Sequence, residues 1–184
     1  MKSENQKTAS STRFYRKIHR WVAVPLFVFM MTVGVTGLLL GWKKQTQLLP
    51  VTQNSKAELN VQSINLDSLQ ILAKNYASNT LKLSDEIDRI DIRPKKGIAK
   101  IVFTSHFTEL QIDIKTGEVL AVNTRRSDFI EKIHDGSIVD YFVKNDNDVF
   151  KLTYTTLTSC GLILLSFSGF WLWYNPIRIR RRKS

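Results

Sequence analysis

Two long apolar segments lie near opposite ends of this chain of 184 residues, and the residues between them are mostly polar or alternate in character. The first segment runs from Trp21 to Trp42 without a charged residue, and the second runs from about Val149 to Trp173 with only Lys151. Because a helix of about 20 apolar residues crosses a bilayer, each segment is long enough. The pattern predicts transmembrane helices at 21–42 and 149–173, with about 106 residues between them.

The middle of the chain has the periodicity of one small α+β domain, expected over residues 65–148 after a polar linker at 43–64. Apolar residues at helical spacing predict an amphipathic helix over 66–78, capped by Asn65. The period then changes to two, which predicts an antiparallel meander. Its strands should lie around 90–92, 99–103, 110–114 and 118–122.

Turn residues divide these strands and limit the next helix. Gly117, in the sequence Lys115-Thr116-Gly117, is expected to adopt a positive φ. A further helix should begin near Ser127 or Asp128 and end at Gly136. The acidic residues of the domain alternate with basic ones, as on an ordinary solvated surface.

Positive charge is concentrated beside the two apolar segments. The net charge is +11; residues 1–20 carry six Lys or Arg against one Glu, and the tail 174–184 carries five against none. Basic flanks stay in the cytoplasm, so both ends are expected there, with the middle exported across a bacterial inner membrane. Since this charge adjoins the spans, where it meets lipid headgroups, we expect no nucleic-acid partner. The first span is also too long for a cleaved signal peptide and predicts a retained anchor.

Several kinds of chemistry are excluded by the residues present. Cys160 is the sole cysteine, so there is no disulfide framework, thiol–zinc site or covalent haem attachment motif. No nucleophile–base arrangement, paired-carboxylate pocket or phosphate loop is visible. The sequence therefore gives no indication of an autonomous hydrolase.

Four stretches of the sequence resemble the PepSY-associated transmembrane proteins. The stretch 90–122, with the Thr-Gly turn before its last strand, is similar to a PepSY domain. The others flank the membrane segments: Arg16-Lys17-Ile18-His19-Arg20-Trp21, Ile133-His134-Asp135-Gly136 and Ser168-Gly169-Phe170-Trp171-Leu172-Trp173. The resemblance implies an exported PepSY-like domain inserted between two transmembrane helices. Larger family members have four or more spans and include ferric-siderophore reductases that bind haem through histidines; this chain is about half that size.

The resemblance implies that His19 and His134 bind haem b iron, because these residues fall on the family's histidine positions. The implied function is transmembrane electron transfer, or reduction and uptake of ferric-siderophore iron. The two histidines should lie on opposite faces of a hydrocarbon core about 30 Å thick, so one haem cannot take both. A homodimer or a larger membrane partner subunit would supply each second ligand. Asp135 or Glu131 could hold the other ring nitrogen of His134.

Other interpretations of the same residues remain open. His19 could be an ordinary interfacial residue, and His134 could simply favour a helix C-terminus. His106 is expected on the surface of the sheet. The spacing Gly37-x-x-x-Gly41 is typical of close helix packing, between the two spans or between copies. The protein could instead be a non-enzymatic module that binds or inhibits a partner such as a peptidase, with an iron chelate or a peptide as its ligand. A third interpretation is a structural accessory subunit of a membrane complex.

Overall fold

The computed structural model describes residues 4–57, 63–144 and 147–181. These residues form two compact units, one from the described residues up to Leu38 together with those from Glu131 onward, the other from Leu39 to Ile130. The helices and strands in chain order are α1 (Glu4–Gly41), α2 (Leu66–Asn75), β1 (Ile87–Arg93), β2 (Ile98–Phe103), β3 (Thr108–Asp113), β4 (Val119–Thr124), α3 (Arg126–Asp135), α4 (Ser137–Val143) and α5 (Val149–Arg181).

The first unit contains the two predicted apolar helices. Segments Thr8–Gly41 and Val149–Arg181 are each long and apolar enough to cross a membrane, and only 6% and 17% of their most apolar stretches are buried within the protein. Outward-facing side chains such as Val24, Phe27 and Phe167 are more than half exposed. A soluble core helix would bury these groups, so lipid is the environment that accounts for them. Both helices extend beyond the predicted spans through polar, basic turns.

The second unit is built on an antiparallel sheet with the strand order β1-β2-β3-β4, as the alternating pattern predicts. Ile101 on β2 pairs with Leu110 on β3, and both are fully buried. Helix α2 covers this face of the sheet and contributes Leu69 and Ala73 to the core. The expected fold class, a helix-covered meander between two apolar helices, is confirmed.

The predicted helix caps and turns are largely present. The Asn65 side chain accepts a hydrogen bond from the Ser68 N–H at 2.7 Å and so begins α2. The helix ends at Asn75 rather than 78, because the chain widens into a π-helical turn over Tyr76–Leu81. Gly117 has a φ of 75°, as expected for the Thr-Gly turn.

Gly136 separates α3 from α4, as predicted. Its φ is 81°, and a Cβ atom there would lie 2.7 Å from the Tyr154 ring of α5. Only glycine satisfies both conditions, so it allows the chain to turn tightly after His134.

The expectation of a solvated second face on the sheet is wrong. Glu109 and Gln111 are fully buried there, and Lys100 is 4% exposed. Lys100 Nζ lies 3.2 Å from a Glu109 carboxylate oxygen, and Arg125 pairs with the other oxygen. These ion pairs compensate part of the cost of burying the carboxylate.

Part of the predicted linker provides the cover for this face. Residues 48–56, here called the strap, run across the buried polar side chains. The Gln53 N–H donates to Gln111 Oε1 at 2.8 Å, and Gln111 Nε2 donates to the Val51 carbonyl at 3.0 Å. The Ser127 N–H donates to the Leu48 carbonyl at 3.0 Å and secures the strap beside α3. This part of the linker therefore belongs to the folded unit.

Candidate functional site

His19 lies on α1 and faces a hydroxyl on α5. Its Nδ1 is 2.8 Å from Ser168 Oγ, and Ser168 is 4% exposed. The ring lies beside the neighbouring Gly169, where a Cβ atom would make ordinary van der Waals contact with His19 Cε1 at 3.6 Å. The imidazole is thus held half-buried between the two apolar helices.

The hydrogen bonds of Ser168 determine which nitrogen of His19 carries the proton. Ser168 Oγ lies 2.6 Å from the Leu164 carbonyl, so its single hydrogen points to that oxygen. The hydroxyl can then only accept from His19, which must donate through Nδ1–H. In the neutral ring this leaves the lone pair on Nε2, which has no hydrogen-bond partner among the described residues.

His134, at the end of α3, has the same arrangement with α1. Its Nδ1 lies 2.9 Å from Thr36 Oγ1, which lies 2.6 Å from the Thr32 carbonyl and therefore donates there. A Cβ atom at Gly37 would be 3.4 Å from His134 Cε1. His134 consequently also carries its proton on Nδ1, and its Nε2 has no partner in the described part of the chain.

Each histidine therefore lies against a hydroxyl–glycine pair, Thr36-Gly37 or Ser168-Gly169. Helical Ser and Thr residues bond the carbonyl four residues earlier, which leaves their oxygen free to accept. Sequence reasoning missed this role, although the repeated pair in the two apolar segments was a usable signal. Within the chain, Gly37-x-x-x-Gly41 does not pack the two long helices together, because Gly37 faces a histidine and a Cβ placed at Gly41 would meet no other part of the described chain within 4 Å. The two long helices instead approach closely where Gly161 faces Leu26. Packing of the Gly37-x-x-x-Gly41 motif between copies stays a prediction.

The structure keeps the two histidines apart. His19 and Thr36, the partner of His134, are 17 residues apart on α1, which corresponds to about 25 Å along the helix axis. One metal centre cannot use both residues of the same chain. Each imidazole is an independent candidate ligand at one end of the helix pair.

The expected second partner of His134 is also corrected, since neither Asp135 nor Glu131 bonds its ring among the described contacts. Asp135 instead accepts from the Ser137 N–H and hydroxyl at 2.9 and 2.7 Å, and lies 3.6 Å from Lys151 Nζ. These bonds fix the corner between α3 and α4, and so position His134 indirectly.

His106 lies on an exposed turn of the second unit, as expected. Its Nε2 is 3.0 Å from the Ser84 carbonyl, and its ring centroid is 4.8 Å from that of Phe103. The Thr108 N–H approaches its Nδ1 at 3.4 Å. With both ring nitrogens engaged, His106 stabilises the turn in which it lies.

The chemistry of the two histidines suits a group that brings most of its own metal ligands. Among residues 4–57, 63–144 and 147–181, no three His, Cys, Asp or Glu side chains are grouped to hold a bare ion. A haem supplies four equatorial nitrogens itself and needs only axial ligands, which an Nε2 lone pair provides. Both rings are also half-buried.

The fold and these sites define a small membrane protein with two apolar helices and a PepSY-type α+β unit between them. The family model for the PepSY-associated TM region matches residues 16–184. The chain therefore belongs to that family, and the resemblance noted from its motifs is confirmed. Among curated proteins, no match to the chain is found.

Proposed function

We propose that this protein is a haem-bearing component of transmembrane electron transfer, of the kind that reduces ferric-siderophore or related iron during uptake. The observation that carries the proposal is the matched orientation of His19 and His134. Each has Nδ1–H bound to a hydroxyl and Nε2 unengaged among the described residues. Two histidines that merely lie at the membrane interface do not require the same tautomer or the same glycine neighbour, whereas two ligands of haem iron require a lone pair on Nε2.

The chain would hold a haem through one imidazole nitrogen at each of two sites, His19 and His134. A haem bound at either site would provide one-electron redox chemistry. A further ligand would come from the same histidine of a second copy, or from a larger membrane partner. Ser168 and Thr36 would keep each imidazole in the ligating tautomer.

The charge pattern supports one orientation in the membrane. Arg13, Arg16, Lys17 and Arg20 precede the first apolar segment, and Arg178, Arg180 and Arg181 follow the second. With basic flanks retained in the cytoplasm of a bacterium, His19 would face the cytoplasm and His134 the exported side. An electron donor would then act near His19, and an iron chelate would be the acceptor near His134.

An optical spectrum tests the proposal directly. The full-length protein would be purified in detergent from cells supplied with haem, and measured oxidised and dithionite-reduced. We expect a Soret band that is lost when His19 and His134 are both replaced by Ala and retained in His106→Ala, the matched control. A wild-type protein without a Soret band would contradict the proposal and favour a non-enzymatic PepSY module that binds a peptide or a peptidase.

A further inference from the structure

A basic groove lies between the N-terminal part of α1 and the C-terminal part of α5, and its lining residue Arg16 is one helical turn before His19. Its volume is about 360 Å³, and three arginines line it: Arg13, Arg16 and Arg180. Thr12 and Pro176 form part of its wall. Arginines from two helices therefore converge on one concave surface.

Specific contacts between α1 and α5 fix the shape of this groove. Asn175, 1% exposed, donates to Thr12 Oγ1 at 3.1 Å. Trp171 Nε1 donates to Ser11 Oγ at 3.3 Å, and its ring centroid is 5.6 Å from that of Tyr15. Since both walls are helices joined by partly buried polar contacts, the groove is preorganised for a ligand.

The charge of the groove has no counterpart within the described side chains. Arg13, Arg16 and Arg180 make none of the ion pairs found there, all of which lie elsewhere in the chain. Guanidinium groups remain charged and match phosphate oxygens through paired N–H donors. Three such groups around one concavity favour an anionic ligand with phosphate oxygens.

The depth of the groove relative to the apolar segments points to a lipid. Trp21 and Trp173 mark the ends of those segments, where aromatic residues occupy the membrane interface. Arg16 lies five residues before Trp21, about 8 Å along the helix, and Pro176 lies three residues after Trp173, about 5 Å. Arg13 and Arg180 lie farther out, about 12 Å before Trp21 and about 10 Å after Trp173. A headgroup layer extends about 5–8 Å beyond the hydrocarbon core. The membrane-proximal end of the groove therefore lies at the depth of lipid phosphates, and the long side chains of Arg13 and Arg180 can reach toward it.

We propose that this groove is a binding site for the headgroup of an anionic phospholipid, with its phosphate on Arg13, Arg16 and Arg180. The site differs from general attraction of basic residues to the membrane, because it requires particular arginines in a fixed shape. It does not depend on haem or on electron transfer.

Native mass spectrometry of the full-length protein, purified in detergent and titrated with phosphatidylglycerol or cardiolipin, tests the proposal. Replacing Arg13, Arg16 and Arg180 by Gln should weaken binding of the anionic lipid at least about tenfold. The matched control removes the same charge from exposed residues outside the groove: Lys17, Arg20 and Arg178. Equal losses in both variants, or equal binding of phosphatidylcholine by the wild type, would overturn the proposal.

A second variant separates recognition by guanidinium groups from an effect of lost charge on membrane insertion. Replacing the three groove arginines by Lys keeps the charge but removes the planar donor pairs, so binding should still weaken. Millimolar inorganic phosphate should fail to displace the lipid. Unchanged binding in the Lys variant, or displacement by phosphate alone, would contradict a headgroup site and indicate nonspecific attraction or a site for a soluble anion.

Discussion

At the scale of single residues, two hydroxyl groups determine what the two histidines can do. Thr36 and Ser168 each donate to a carbonyl of their own helix at 2.6 Å, and so can only accept from the imidazole. The tautomer of His134 and His19 follows from that constraint. No carboxylate is needed to hold the ring, which is consistent with a site among apolar helices, where a buried charge would be costly.

Replacing Thr36 by Val should release His134 from this tautomer, because the shape is nearly kept while the acceptor is lost. Nitrogen-15 NMR of labelled histidine should show Nδ1 of His134 protonated in the wild type and a mixture of tautomers in the variant. Haem retention at that site should fall about 10–100-fold. Thr36→Ser, which keeps the hydroxyl, is the control; an unchanged tautomer in Thr36→Val would show that the hydroxyl does not select it.

At the scale of elements, the strap and the Thr-Gly turn meet at Asp113. Burial alone would raise the pKa of this carboxyl. Hydrogen bonds from the Ser55 hydroxyl and from the backbone N–H groups of Lys115, Thr116 and Lys56 outweigh this effect, so the pKa of Asp113 is lowered. A lowered pKa means that Asp113 stabilises the fold when ionised. That stabilisation is present above an unfolded-state pKa of about 3.9 and is lost as the pH falls through the lower folded value.

Asp113→Asn should therefore destabilise the second unit at neutral pH, by about 1–3 kcal/mol for a buried hydrogen-bonding group left mispaired. Hydrogen exchange of β2 and β3 amides in the full-length protein would report the change. The difference from wild type should shrink as the pH falls below about 4. Asp85→Asn, at an exposed carboxylate, should have little effect; a difference between Asp113→Asn and wild type that grows toward acid pH would contradict the assignment.

The helices, strands and turns that were predicted correctly are those whose signals lie in residues close together in the sequence. Alternation identified the strands, Asn65 identified a helix start, and Gly117 and Gly136 identified turns. The buried polar face of the sheet was not foreseen, because alternation with polar residues looks the same for a solvated face and for a face covered by the strap. The cover depends on hydrogen bonds between Gln111 and residues about 60 positions earlier, which no local pattern reveals.

At the scale of the whole molecule, the two apolar helices and the positive charge beside them are the basis of the proposed orientation of the chain in a membrane. The sequence located both histidines near the ends of these helices, since the family motifs are linear. The repeated hydroxyl–glycine pair is visible in the sequence, but it does not say which histidine meets Thr36 and which meets Ser168, because those contacts join residues 98 and 149 positions apart. Such pairs require a tertiary structure.

The proposed orientation predicts which surfaces an impermeant thiol reagent reaches in intact cells. In a Cys160→Ser background, a cysteine at Asp85 should be labelled from outside. A cysteine at Arg178 should be labelled only after lysis, because its basic flank is expected to remain in the cytoplasm. Labelling of Arg178→Cys in intact cells would contradict a hairpin with both ends inside.

The amount of haem per chain in the wild type and in two single variants tests the central claim most directly. If His19 and His134 serve separate centres at opposite ends of the helix pair, His19→Ala and His134→Ala should each lose about half of the haem, independently of the other. Pyridine haemochrome absorbance per mole of purified full-length protein measures this. Loss of all haem in either variant, or no loss in both, would contradict two separate histidine sites.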